Sequence, residues 1–135
     1  MKLTISEAIE IGSKMGPQMF GQLRGPNNAS CVVGAIRLAI NYPNLYGVSV
    51  DATWPYYYKL VKTTVCPVCR KTSNILVHLN DDHRWSREAI AMFISTIEPA
   101  YIEQLTKGGH DGIERGHDSS SPIHAMGSVC DSILV

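Results

Sequence analysis

Apolar residues recur at helical spacing in three stretches of the chain, and residues that start or stop helices bound each stretch. The first covers residues 3–16, LTISEAIEIGSKMG. Thr4 can cap this helix, Glu7 three residues later completes a capping-box pattern, and Gly16-Pro17 ends it. We therefore predict an N-terminal helix with one buried face.

The second stretch, SCVVGAIRLAINYP, is apolar on nearly every side, which predicts a largely buried helix with Asn28 or Ser30 as its cap. The third, SREAIAMFISTI, repeats isoleucine and phenylalanine at helical spacing and is predicted to end at Pro99. Between them, YGVSVDATWPYYYKLV concentrates aromatic residues, for which burial against the core is the expected role. The pattern thus indicates a core made mainly by helices.

Between the aromatic stretch and the third helix, two cysteines and two histidines follow the spacing C-x2-C-x8-H-x4-H. These are Cys66, Cys69, His78 and His83. Thiolates and imidazoles in a set of four are the ligands that tetrahedral zinc prefers, and a full protein set leaves no open position for catalysis. The eight-residue gap is shorter than the roughly twelve of a ββα DNA-reading finger. We predict one structural Zn²⁺ in a finger-like but different arrangement.

The ligand with an open alternative is His78, because it lies in the apolar run NILVHL and could be a partly buried histidine. Asp81, Asp82 or Cys31 would then complete the site. If His78 is a ligand, Asp81 or Asp82 could instead accept the N–H of a ligating histidine and orient its ring.

These elements predict an α+β fold: a small, mostly helical domain with a zinc knuckle or short hairpin leading into a helix. NILVHL is predicted as a short strand and the following NDDH as a turn. Residues 1–106 are predicted to form one globular domain, with the zinc-binding segment at 65–98. Residues 107–135 are rich in Gly, His and Ser and are predicted to be an acidic tail.

Composition and charge narrow the classes of protein that the chain can be. The chain is 44% hydrophobic and 18% charged, which is ordinary for a globular protein. No apolar run reaches the roughly 20 residues that span a bilayer, and the N-terminus lacks the apolar core of a signal peptide, so we expect a cytoplasmic protein with no membrane partner. The net charge is zero, yet residues 59–87 carry +4 and residues 88–135 carry −5.

The segments HLNDDHRWSREAIAMFI (78–94) and SCVVGA (30–35) resemble segments of small zinc-binding proteins of tailed bacteriophages and prophages. In that group a CPxC pair precedes HLNDxHxWSRExIAxW. This chain departs at Phe93, where the group has tryptophan. The resemblance covers about half of the chain and implies a phage-encoded, zinc-binding protein in the bacterial host cytoplasm, but it implies no activity.

Three functions are compatible with these features. A zinc-stiffened basic surface could bind a host or phage protein, for example a component of transcription or defence; its residues would be Arg70, Lys71, Arg84, Trp85 and Arg87. The alternative for Trp85 is burial beneath the site. The same surface could bind nucleic acid, as the runner-up. A nuclease of the HNH type is the third, but the asparagine and histidine expected on the helix after His83 are missing, so no catalytic residue is predicted.

Overall fold

The computed structural model describes residues 3–43 and 47–107, so most of the tail predicted at 107–135 lies outside the described residues. A 3₁₀ turn spans Pro26–Asn28 and a π-helical turn spans His78–Asp82. The α-helices are α1 (Ile5–Ser13), α2 (Val32–Asn41), α3 (Val50–Thr53), α4 (Tyr57–Thr63), α5 (Ile75–Val77) and α6 (Arg87–Lys107).

Helix α1 begins as its sequence predicts, with a complete capping box. The Thr4 hydroxyl accepts the Glu7 N–H at 3.1 Å, and the Glu7 carboxylate accepts the Thr4 N–H at 2.9 Å. Two further N–H groups of the first turn, those of Ile5 and Ser6, donate to the carboxylate of Glu98 at 2.7 and 3.1 Å. The N–H groups that a helix start leaves unpaired thus all find acceptors here. Two of these acceptors are the carboxylate oxygens of Glu98, which is distant in the sequence.

Helices α1 and α2 pack so closely that backbone meets backbone. A Cβ on Gly12 would lie 1.9 Å from the carbonyl oxygen of Ala35, so only glycine fits at this crossing. The N-cap of α2 was predicted at Asn28 or Ser30, and both predictions are wrong. The N-cap is Cys31, whose sulfur accepts the Gly34 N–H at 3.4 Å. Ser30 is occupied elsewhere, since its carbonyl and hydroxyl both accept from Arg87.

Helix α6 continues to Lys107, past the predicted end at Pro99. Proline removes one N–H from the helix and disfavours helical backbone before it. Here the turn around Pro99 is fixed by tertiary contacts, since Glu98 is only 2% exposed and Tyr101 and Ile102 pack against the core. Long-range packing therefore outweighs the local stop signal.

Two buried charged residues of α6, Glu98 and Arg87, form hydrogen bonds with the two ends of α1. Glu98 lies at the N-terminus of α1, as described above, and Arg87 donates to the carbonyls of Ser13 (3.2 Å) and Gly16 (2.6 Å) beyond its C-terminus. These signs match the helix dipole, which favours an anion at the first turn and a cation at the last. Arg87 was predicted to lie on a binding surface; it is 4% exposed, so that assignment is wrong.

The aromatic segment is buried, as expected. Trp54 and Tyr57 are 3% and 2% exposed, and the Trp54 indole N–H donates to the Leu3 carbonyl at 2.8 Å. The Tyr56 hydroxyl donates to Glu98 at 2.6 Å, and burial together with this carboxylate raises the pKa of Tyr56 well above its ordinary value. Helices α3 and α4 therefore close the core around the N-terminus of α1.

The predicted α+β fold with a hairpin is wrong, because the described residues are mostly helical and form no sheet. The run at 74–79 is not a strand: the Asn74 side chain accepts the Leu76 and Val77 N–H groups and starts α5. Of the expected hairpin, one isolated antiparallel bridge joins Val65 and Thr72. Among the described residues, no helix has the length and apolar character needed to cross a membrane.

Candidate metal centre

The first two candidate ligands lie in a tight turn closed by backbone hydrogen bonds. The Cys66 N–H donates to the Lys71 carbonyl at 2.9 Å, and the Arg70 N–H donates back to the Cys66 carbonyl at 2.9 Å. The Val68 N–H points to the Cys66 sulfur at 3.4 Å. We call residues 65–72 the knuckle; its turn directs the Cys66 thiol inward, where it is fully buried.

The second pair of ligands is brought together by the π-helical turn. Five residues advance an ordinary α-helix by about 500°, which would leave His78 and His83 about 140° apart around its axis. In the structure the His83 N–H donates to the His78 carbonyl at 3.2 Å, the i to i+5 bond that defines a π turn. The two rings then meet with their centroids 4.6 Å apart. The wider turn is what makes the x4 spacing usable.

Asn80 anchors this π turn in the body of the protein. Its side chain is fully buried. The amide oxygen accepts from the Gln18 side chain at 2.9 Å and from the Val32 N–H at 3.1 Å, and the amide nitrogen donates to the Met19 carbonyl at 3.1 Å and to Asp81 at 2.7 Å. A single side chain thus ties the turn to the loop after α1 and to the start of α2.

The knuckle and the π turn bring all four predicted ligands together. One ligand atom from each of Cys66, Cys69, His78 and His83 lies within 4.8 Å of every other. The Nε2 atom of His78 is 3.2 Å from the Cys69 sulfur and 3.1 Å from the His83 Nε2. With Zn–S near 2.3 Å and Zn–N near 2.0–2.1 Å, the corresponding edges of a tetrahedron are about 3.6 and 3.4 Å. The group is therefore of a size to hold one metal ion.

Asp82 selects the orientation and tautomer of His78. Its carboxylate lies 2.8 Å from the His78 Nδ1, and because a carboxylate accepts, the proton of the neutral ring belongs on Nδ1. The lone pair on Nε2 then faces the other ligands, as a metal-binding histidine requires. The other residues considered for this site act elsewhere: Asp81 accepts the Gly21 N–H at 2.9 Å, and Cys31 caps α2.

The surroundings of Cys66 favour its thiolate. Burial by itself raises the pKa of this thiol, but hydrogen bonds from the backbone of Cys69 and Val68, and then from the side chain of Cys69, outweigh burial and lower the pKa from 9.0 to about 6. The thiolate is the form of cysteine that binds metals. The site thus prepares this ligand in the charge state that coordination needs.

Of the predicted surface residues outside the ligand set, three are exposed. Arg70 and Lys71 follow Cys69 on the knuckle, and Arg84 follows His83. The Arg84 guanidinium lies 4.3 Å from the centre of the Phe20 ring, in a cation–π contact. These three side chains flank the candidate site on both of its ligand-bearing segments.

The other two predicted surface residues, Trp85 and Arg87, are not exposed. Trp85 is half-buried and meets Phe93 edge to face, with centroids 6.1 Å apart, which matches the alternative of burial beside the site. Arg87 is enclosed, as described above. The predicted binding surface therefore reduces to Arg70, Lys71 and Arg84.

Sequence reasoning missed two buried polar residues, Asn80 and Glu98, and misplaced a third, Arg87, on the surface. A signal for two of them was present. Arg87 and Glu98 stand eleven residues apart, and Ile90 and Ile94 lie between them at positions i+3 and i+7. Charged residues in register with an apolar stripe face the same side as that stripe. A charge on such a stripe predicts a buried, hydrogen-bonded group rather than a surface contact.

Comparison of the chain with protein-family models, with curated proteins and with solved structures finds no significant match.

Proposed function

We propose that this chain is a non-enzymatic zinc-binding protein in which one structural Zn²⁺ presents a basic surface to a protein partner. One observation carries the proposal: the ligand atoms of Cys66, Cys69, His78 and His83 all lie within 4.8 Å of one another, although they come from two separate segments. The knuckle and the π turn belong to separate segments, yet both direct side chains of metal-binding types to one place, as a metal site requires.

The donor set favours zinc among the biological metals. Two sulfurs and two ring nitrogens in a tetrahedral group are typical of Zn²⁺, whereas Mg²⁺ and Ca²⁺ take oxygen ligands. The Asp82 carboxylate accepts a hydrogen bond from the Nδ1 of His78, and ligating histidines usually have such a partner.

Four protein ligands make the ion structural rather than catalytic, because none of the four tetrahedral positions remains for water or substrate. The arrangement also weighs against an HNH-type nuclease. His83, the residue that would act as base there, is one of the four grouped side chains. Helix α6, which follows it, contains neither asparagine nor histidine.

The knuckle is the part of the protein that needs the ion. Between Val65 and Asn74, Cys66 is the one residue that is buried, and a single β-bridge closes the loop. Structural zinc contributes about 10–16 kcal/mol of apparent binding free energy in zinc-finger peptides. A fraction of that stabilises a segment that has almost no apolar contacts of its own.

The proposed partner is a host or phage protein, such as a component of transcription or antiviral defence, in the bacterial cytoplasm. The likeness of residues 78–94 to phage proteins supports the setting. Exposed Arg70, Lys71 and Arg84 beside the site support a charged contact surface. A rigid turn held by an ion presents such side chains with little loss of conformational entropy on binding.

Nucleic-acid binding is the second candidate, and one observation favours it. No acidic residue occurs between Lys59 and Asn80, so the cations of this segment are available to phosphates. Filter binding of single- and double-stranded DNA and RNA over a range of salt concentrations separates the two candidates. Affinity that falls steeply with salt and depends on Arg70 and Lys71 would favour nucleic acid.

The metal is tested by measuring zinc in protein purified without an affinity tag. We expect one zinc per chain in the wild type, loss of zinc in Cys66→Ser, and at least strongly weakened binding in His78→Ala and His83→Ala. Cys31→Ser is the matched control, since it changes a buried cysteine outside the group and should keep its zinc. Replacement by cobalt should give the visible spectrum of a tetrahedral site with two sulfurs. Zinc retained after removal of both histidines would contradict the ligand set.

A further inference from the structure

The outer face of the knuckle exposes aliphatic side chains. Val65 and Val68 are 46% and 53% exposed, and Pro67 between them is exposed as well. The cause is the metal site itself: the inward positions of the turn are taken by Cys66 and Cys69. The turn cannot bury its valines without withdrawing its sulfurs from the cluster.

The same turn carries two basic side chains. Arg70 and Lys71 are exposed, and neither side chain is held by an ion pair to any residue in the described ranges. The charged residues from Lys59 to Asn80 are all basic. Residues 65–71 therefore expose two valines and two cations, and within residues 3–43 and 47–107 the cations form no ion pair.

Arg70 has a backbone conformation that glycine would adopt with less strain. Its φ is +67°, in the left-handed region that glycine adopts freely and that other residues adopt at a cost in free energy. Arg84, directly after the ligand His83, repeats this feature with a φ of +53°. Residues kept in such conformations often mark functional sites. An arginine at a position that glycine would occupy without strain supports the hypothesis that its guanidinium is used, which the Arg70→Gly variant tests.

The chemistry of this face fits a protein better than a nucleic acid. Bases bind single-strand readers by stacking on aromatic rings, but the knuckle residues 65–72 include no aromatic side chain. Nearby, the Phe20 ring is already in contact with Arg84, and Trp85 packs on Phe93. Exposed valines have no complement on a phosphate backbone, whereas they match aliphatic side chains of a protein segment.

We propose that Val65, Val68, Arg70 and Lys71 form a docking surface for an acidic protein segment that carries aliphatic side chains. The carboxylates of that segment pair with Arg70 and Lys71, and its aliphatic side chains cover the two valines. This inference rests on the proposed function, because the ion is what fixes the knuckle in this shape.

The test is selection from a displayed library of random twelve-residue peptides on the zinc-loaded full-length chain, followed by fluorescence anisotropy with individual enriched peptides. We expect the enriched peptides to have a net negative charge and at least one aliphatic residue. Binding should weaken about tenfold in Val68→Ser and in Arg70→Gly. Met92→Ser and Lys14→Ser, which change an exposed apolar residue on α6 and an exposed cation after α1, should bind as the wild type does.

Arg70→Gly is the decisive variant, because it removes the guanidinium while relieving the left-handed backbone. Its thermal stability should equal or exceed that of the wild type while peptide binding falls; a purely structural arginine would give the reverse. Enrichment of peptides with no acidic excess overturns the proposal, as does unchanged binding in both variants. Tighter binding of a twelve-nucleotide oligo(dT) that depends on Arg70 also overturns it, in favour of nucleic acid.

Zinc content measured on the same samples distinguishes the two levels of the proposal. One zinc per chain with failed peptide selection refutes the docking surface and leaves the zinc site standing. No zinc in the wild-type chain refutes both.

Discussion

Helix α1 and the knuckle are both short segments, but they are held in place by different means. Helix α1 is fixed on three sides: Glu98 at its start, Arg87 beyond its end and α2 in backbone contact at Gly12. The knuckle has one buried side chain, Cys66, and one β-bridge. The comparison teaches that packing holds the helices, whereas the knuckle has little packing of its own, so we expect it to need the proposed metal.

The largest effect that would sharpen this contrast comes from metal removal. With a chelator, backbone amides of the knuckle, such as those of Cys66 and Arg70, should exchange their hydrogens at least about 100-fold faster, equivalent to about 2.7 kcal/mol. Amides of α1 and α6 should keep most of their protection, because their contacts do not include the ion. Hydrogen exchange followed by mass spectrometry or NMR measures both regions in one sample.

Cys66→Ser should reproduce the chelator pattern without chelator, and Cys31→Ser should not. If metal removal instead unfolded the helices together with the knuckle, the two regions would form one cooperative unit and the contrast would be wrong.

The second-largest expected effect is a loss of stability in the packed helices, caused by removal of Arg87. Arg87→Ala leaves the carbonyls of Ser13, Gly16 and Ser30 without their buried donor, and it removes one of two opposite charges that hold α1. Because the acceptors are neutral oxygens, the loss is that of buried hydrogen bonds to a charged donor, about 2 kcal/mol. Denaturant unfolding of the full chain in the presence of added zinc measures the change.

Arg84→Ala is the matched control for that variant, since Arg84 is exposed and its contact with Phe20 is worth about 1 kcal/mol or less. Equal losses in the two variants would mean that the buried network carries no special share of the stability.

The smallest effect concerns pH and the Cys66 thiol in the metal-free chain. Its pKa is lowered from 9.0 to about 6, so the folded chain binds fewer protons than the unfolded chain between these values. The resulting stabilisation is complete above pH 9, declines as the pH falls and is lost below about pH 6. Thiolate absorbance of wild type minus Cys66→Ser should show a transition near pH 6. A transition near pH 9 would contradict the lowered value.

Local chemistry in the sequence was enough for some features. The capping box of α1 involves Thr4 and Glu7, which are only three residues apart. It can therefore be recognised from the sequence without knowing the fold. The candidate ligands were identified for a similar reason: Cys66, Cys69, His78 and His83 are of the right types at a short, regular spacing.

Other structural features depend on contacts between residues far apart in the sequence, and we could not predict these features from the sequence. The run at 74–79 forms a helical and then a π-helical turn, because Asn74 caps it and Asn80 bonds to Val32, 48 residues away. A period of two fits such a short apolar run as well as a helical period does, so the run was predicted as a strand.

By itself, then, the sequence determined which atoms could bind a metal and where the first helix begins, since both depend on neighbours within a few residues. Tertiary structure decided that Arg87 and Glu98 are buried, that α6 passes Pro99 and that a π turn brings His78 to His83. The physical reason is that the local preferences involved are worth only a few kcal/mol. A partner more than 50 residues away, such as Ser30 for Arg87 or Ile5 for Glu98, can outweigh them once the chain is packed.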